Sequence, residues 1–194
     1  MSVSDQISAC TRCAREFAAT RSAHLPRPVV WFRRGAPILV AGQAPGMRVH
    51  LSGKPFDDPS GDRLRQWMGI DKEVFYDRNR LSIVPMAFCF PGYDDRKSDL
   101  PPPKRCAETW RSPVMKELGD VPLLFLVGGY AQKWHLGTKS GVTETVRQWR
   151  DVAPAIFPLP HPSWRNTAWL KANPWFEQDL LPELRRRVQE VLRD

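Results

Sequence analysis

Four short apolar runs, each followed by a stretch with helical periodicity, constrain this chain more than any other feature. They occupy residues 37–42, 81–87, 122–127 and 155–160. Runs of this length, closed by Gly or Pro, suit buried strands. Strands that alternate with helices pair in parallel, and the helices then cover both faces of the sheet. The expected fold class is therefore α/β. In such sheets the ligand crevice lies beyond the carboxyl ends of the strands. Gln43 follows the first run and His161 follows the last, so both project there.

The segments between the runs fill in the layers. A helix carrying Cys10 and Cys13 is expected over residues 4–20. A second covers residues 60–68, with Leu64, Trp67 and Met68 on one face. Residues 90–103 read as loop and 104–118 as helix; a further helix holds Trp134, and another covers 142–151. From Trp164 onward the chain reads as helix with a break at Asn173 and Pro174. In the last helix Leu180, Leu184, Val188 and Val191 share a face, while Arg185, Arg186 and Arg187 read as a solvated edge. At 194 residues the whole fits a single domain.

Charge narrows the partners. The chain has 29 Lys and Arg against 21 Asp and Glu, a net charge of +8. A polyanion is the expected partner, and nucleic acid is the commonest one. No apolar run reaches the roughly 18–20 residues that a membrane span needs, and the first residues, Met1-Ser2-Val3-Ser4-Asp5, lack a secretion-signal pattern. A cytoplasmic protein with no membrane partner is expected. Its 8 Trp are core residues or platforms for stacked bases.

The four cysteines are Cys10, Cys13, Cys89 and Cys106. A C-x2-C pair in such a chain points to metal before disulfide. Zinc sites usually use two close pairs, and the second pair here is wide. Four scattered thiolates suit an iron–sulfur cluster. Spacing alone leaves three readings open: a cluster, a zinc ion, or four unlinked buried thiols.

Four motifs then occur together and in order. These are the cysteine spacing; Gly42-Gln43-Ala44-Pro45-Gly46; Ser52-Gly53-Lys54-Pro55-Phe56; and His161-Pro162-Ser163. In this combination the chain resembles the iron–sulfur uracil-DNA glycosylases, a branch of the uracil-DNA glycosylase superfamily. The resemblance runs from Cys10 to about Phe176. It implies a three-layer α/β/α fold around a four-stranded parallel sheet, with the N-terminal segment pinned by a structural [4Fe–4S] cluster on Cys10, Cys13, Cys89 and Cys106. It implies a monomeric, monofunctional enzyme that hydrolyses the bond between deoxyribose and uracil in single- or double-stranded DNA.

That chemistry assigns roles. Uracil must leave the stack and enter a pocket. It departs as an anion with charge on O2, so a donor aimed at O2 stabilises it. His161, held between Pro160 and Pro162, fits this donor, and a neutral ring would serve. Phe56 matches the aromatic that stacks on the flipped base. Gln43 would orient water or touch the base, and Ala44 lies beside it where another branch of the superfamily carries an Asp. The stretch after Gly46, Met47-Arg48-Val49-His50, contains no acid, which makes His50 a candidate to activate water or to contact the sugar-phosphate.

The Asn that reads uracil in the family is absent from residues 83–88. Asn166 is a substitute source of a polar group, and uracil specificity is correspondingly open. Gly46, Ser60 and Ser163 would approach phosphates, with Arg48, Lys54 and Arg165 as basic neighbours in the same loops. Trp164 or Arg165 would fill the gap that the base leaves. Two alternatives stand beside uracil excision: a glycosylase for another deaminated base such as hypoxanthine, and a damaged-base or abasic-site binding protein with weak or no turnover.

Overall fold

The computed structural model describes residues 1–193. All four apolar runs become strands: β1 (Ile38–Ala41), β2 (Leu81–Ile83), β3 (Leu123–Val127) and β4 (Ile156–Leu159). They form one parallel sheet in the order β2-β1-β3-β4. Pro158 lacks the N–H that an interior strand would need, and it lies in β4 at the sheet edge. The run at 81–87 gives only three residues of strand. Beyond Ile83 its backbone still follows β1, with the N–H groups of Val84, Met86 and Ala87 donating to the carbonyls of Val40, Gly42 and Gln43. The end of β1 is thereby fixed where the first motif begins.

Helices cover both faces. They are α1 (Val3–Ser8), α2 (Ala14–Ala18), α3 (Met47–Ser52), α4 (Pro59–Met68), α5 (Lys72–Tyr76), α6 (Lys104–Leu118), α7 (Gly129–Leu136), α8 (Val142–Arg147), α9 (Thr167–Ala172) and α10 (Leu181–Arg193). Alternate strand residues divide the core, as a pleated backbone requires. Ile38, Val40, Phe125 and Phe157 pack against Leu64, Trp67 and Met68 of α4 and against Leu184, Val188 and Val191 of α10. Leu39, Ala41, Leu124 and Leu126 pack on the other side against Ile7, Val114, Leu118 and Ala131 of α1, α6 and α7. The result is the three-layer α/β/α arrangement. Among the described residues, no helix is long and apolar enough to cross a membrane.

Three local expectations need correction. The helix over residues 4–20 is two helices. Ile7 and Phe17 are both buried, and the turn between them carries Cys10 and Cys13. Arg48 lies in α3, not in a loop. Arg185 is exposed but is more than a solvated edge: its guanidinium donates to the carbonyls of Gln66 and Trp67, the last turn of α4. A cation there satisfies carbonyls that the helix leaves unpaired. Arg186 is exposed and pairs with Glu183 and Glu190, whereas Arg187 is half-buried, pairs with Glu190 and keeps a buried, unpartnered Nε.

Candidate active site and four-cysteine pocket

The carboxyl ends of β1, β3 and β4 open into one cavity of about 430 Å³. Gln43 enters from the end of β1, Gly128 and Gly129 from β3, and Pro160 and His161 from β4. Asn166 and Trp169 close one side, and Tyr130 and Lys133 come from α7. The structure brings Gln43, His161 and Asn166, all singled out from the sequence, to one cavity. Nothing in the sequence singled out the α7 residues, which carry no motif of their own.

His161 is held in a defined state. Its Nδ1 accepts the Ser163 N–H at 3.2 Å. An acceptor nitrogen carries no proton, so the proton of the neutral ring sits on Nε2. Burial lowers the His161 pKa, and the Asp58 carboxylate opposes this only in part. The ring is therefore a neutral Nε2–H donor. The Asn166 amide donates to the His161 carbonyl at 2.7 Å. This bond uses one of the two amide N–H donors and holds the loop; the second N–H and the Oδ1 acceptor are not used by it, on a residue that lines the cavity.

Phe56 is placed with equal definition. Its backbone adopts φ +54°, unusual for a side-chain-bearing residue. Its carbonyl oxygen accepts from the Tyr76 hydroxyl at 3.1 Å. A methyl on Gly61 would lie 1.8 Å from that same oxygen, so only glycine fits at the first turn of α4. The Phe56 ring stands edge-on to Phe75 and touches Gly42, where its Cζ lies 3.5 Å from the position a Cβ would take. A half-buried aromatic face is thus fixed over the end of β1.

Residues 30–185 match the family model described as the uracil DNA glycosylase superfamily. The chain belongs to that superfamily. The matched residues contain the end of β1, Phe56 and the His161 loop, together with Cys89 and Cys106; Cys10 and Cys13 precede them.

In this glycosylase-superfamily fold the other candidates are distributed as follows. Ala44 leaves the first motif without an acid, but a carboxylate arrives from elsewhere. Asp99 Oδ2 lies 3.6 Å from where a Cβ on Gly46 would be. Burial raises the Asp99 pKa and the nearby Arg165 opposes that shift. The approach depends on the loop at 90–103 folding back, which no local spacing announces. Arg48 is exposed, and Ser60 lies in the first turn of α4. The Lys54 ammonium sits 4.0 Å over the Tyr76 ring. Ser163 caps the short turn Trp164–Asn166, with its hydroxyl accepting from the Arg165 N–H. Trp164 is 71% exposed, so it anchors nothing in the core and is free to meet a partner.

His50 does not reach the cavity. It packs edge-on against His24 at 5.1 Å and beside Phe90. Burial, then the charges of His24 and Arg27, lower its pKa, and its buried Nδ1 has no hydrogen-bond partner.

The four cysteines line a separate pocket with Ile7, Phe17, Phe88 and Trp110. All four are free thiols. Burial pushes Cys89 up to about 12 and Cys106 up to about 11, so these thiols ionise only when something replaces the proton. Among the described residues, no three His, Cys, Asp or Glu side chains close round a point as a single ion requires. Arg111, in the same helix as Cys106, is 4% exposed. It donates to the Val84 carbonyl and contacts Met86 Sδ, and no carboxylate pairs with it among the described residues. Burial lowers its pKa to about 10, while the charge of Cys106 acts in the opposite sense. A buried unpaired cation is costly unless an anion lies near. An anion near Cys106 would offset that cost.

Proposed function

We infer that this protein is a monofunctional uracil-DNA glycosylase. One observation carries the reading: His161, with its Nδ1 occupied by the Ser163 N–H and its pKa lowered, lines a cavity at the carboxyl end of the sheet. A flipped uracil would stack on Phe56 with O2 toward the His161 Nε2–H. The C1′–N1 bond breaks with its electron pair leaving on the base, and the charge that grows on O2 meets the Nε2–H. Water adds to C1′ and gives its proton to solvent. Gln43 orients that water. Asp99, with no acid closer in the first motif, offsets the positive charge that develops on the sugar. Neither the first motif nor the His161 motif contains a Lys, which supports hydrolysis to an abasic site; Lys133, on the cavity wall, is the amine whose attack would instead lead to strand cleavage. The net charge of +8, with Arg48 and Arg165 at the surface, supports a grip on phosphates. Trp164 fills the vacated space in duplex DNA.

Cys10, Cys13, Cys89 and Cys106 would hold a [4Fe–4S] cluster, which supplies a cross-link between the N-terminal segment and α6. Buried Arg111, whose charge is felt at Cys106, supports an anionic group beside this pocket, and the sequence spacing of the four thiols supports a cluster.

The test is a single-turnover assay on oligonucleotides carrying uracil, hypoxanthine, xanthine or mismatched thymine, with free base measured directly. Uracil release with alkali-labile but otherwise intact strands is the expected result. Tight binding to uracil DNA with no released base, enzyme in excess, would instead establish a binding protein. Iron and sulfide analysis of protein purified without oxygen tests the cluster.

A further inference from the structure

The strongest unexplained contact outside the cavity joins two segments that are distant in sequence. Arg63, on α4, sends Nη1 to the Ser163 carbonyl at 2.9 Å and Nη2 to the Thr167 hydroxyl at 3.4 Å. Those two acceptors flank the turn Trp164–Asn166. The Thr167 hydroxyl in turn donates to the Trp164 carbonyl at 2.7 Å, closing the turn from inside. Arg63 has no carboxylate partner among the described residues; the adjacent Asp62 is taken by Arg65 at 2.6 Å. Its charge is thus committed to neutral acceptors on one loop.

That loop also sets the state of His161. Ser163 is the residue whose N–H occupies His161 Nδ1 and whose carbonyl Arg63 holds. Fixing Ser163 therefore fixes the protonated nitrogen of the ring. We propose that Arg63 is a positioning residue for base excision: it clamps both ends of the Trp164 turn and keeps the Ser163 N–H on His161 Nδ1, so that Nε2 retains the proton. A guanidinium suits the task best, because a planar fork spans two acceptors and an ammonium serves as a single point. The proposal rests on the glycosylase reading of His161 for its effect on rate, but not for its effect on the ring.

The test uses the full-length protein and two variants, Arg63→Gln and Arg63→Lys. The ring is read by nitrogen NMR of the histidines, with His161→Gln identifying the signal. In the native protein the Nε2–H form should dominate; in Arg63→Gln both tautomers should appear. Single-turnover uracil release should fall about 10- to 100-fold, the range typical when a residue that orients a reacting group is lost. Affinity for the uracil oligonucleotide should change less than about threefold, since the clamp faces the protein and not a phosphate. Arg63→Lys should recover part of the rate and part of the tautomer preference. An unchanged tautomer in Arg63→Gln overturns the proposal, whether or not the native protein releases uracil. A loss of affinity matching the loss of rate, with a salt dependence shallower by about one ion, also overturns it and makes Arg63 a phosphate contact. If the native protein releases no base yet the tautomer shifts as described, the clamp stands and the uracil-excision reading falls.

Discussion

The cysteine pocket and the His161 cavity are built by opposite means. The pocket draws on three separate stretches of chain, the turn at Cys10 and Cys13, the segment at Cys89 and helix α6, and its walls are apolar. Nothing local holds it together, so it exists only when those stretches meet. The cavity rests on the ends of hydrogen-bonded parallel strands, and polar side chains project into it. A change in the pocket should therefore act on folding. A change in the cavity should act on chemistry and leave the fold intact.

The largest effect is expected where that contrast is sharpest. Cys89→Ala should give protein that is insoluble or melts far below the native form, with little iron. A soluble, active Cys89→Ala protein would break the contrast, because the pocket would then be dispensable. Next comes His161→Ala. Loss of one aimed donor typically costs about 100- to 1,000-fold in rate, so uracil release should fall by that order while thermal stability and DNA affinity hold. Equal loss of stability would put His161 in the same structural class as the cysteines.

The pH profile sharpens the same point. The His161 pKa is lowered from 6.5, so the neutral donor persists as pH falls through that value. The rate of uracil release should stay flat through pH 6.5 and drop only at more acidic pH, where a second ring proton would displace the Ser163 N–H. A drop centred at 6.5 or above would contradict the half-buried, Ser163-bonded ring.

Smaller effects are expected at the edges of the cavity. Trp164→Ala removes an exposed ring, so stability should not change. Affinity for uracil in duplex DNA should fall about tenfold, in keeping with about 1–3 kcal/mol for a lost stacking contact. The smallest effect is expected for His50→Phe. The replacement keeps the packing against His24 and Phe90 and removes an unpartnered buried nitrogen, so uracil release should stay within about threefold, following the energies of ordinary surface changes. A loss as large as that of His161→Ala would return His50 to the reacting groups.

Much of the sheet was legible because its signals are local. Each apolar run carries its own length and its own terminator, and β1, β3 and β4 lie within one or two residues of the expected limits. The His161-Pro162-Ser163 and Gln43 placements were legible for the same reason: both directly follow a strand. Contacts made across the chain left no local trace. Arg63 looks like any helix-surface arginine until the Ser163 loop folds onto it. Asp99 sits in a polar loop like several other acids nearby, and only the approach to Gly46 distinguishes it. His50 was misleading for a related reason. It is close in sequence to the first motif, but in α3 its ring packs against His24 and Phe90 and does not line the cavity.

The glycine at the first turn of α4 has a consequence for how base choice can drift. The height of the Phe56 ring above the end of β1 is set by two main-chain features, the carbonyl at 56 and the bare Cα at 61, together with the hydroxyl of Tyr76. Substituting the ring alters what the platform is made of and leaves unaltered where it stands. The thickness of the slot is thus inherited through the backbone, while the edges that read the base are free to vary by side chain. New substrates in relatives with this framework should be flat rings of the same thickness, differing in the groups around their rim.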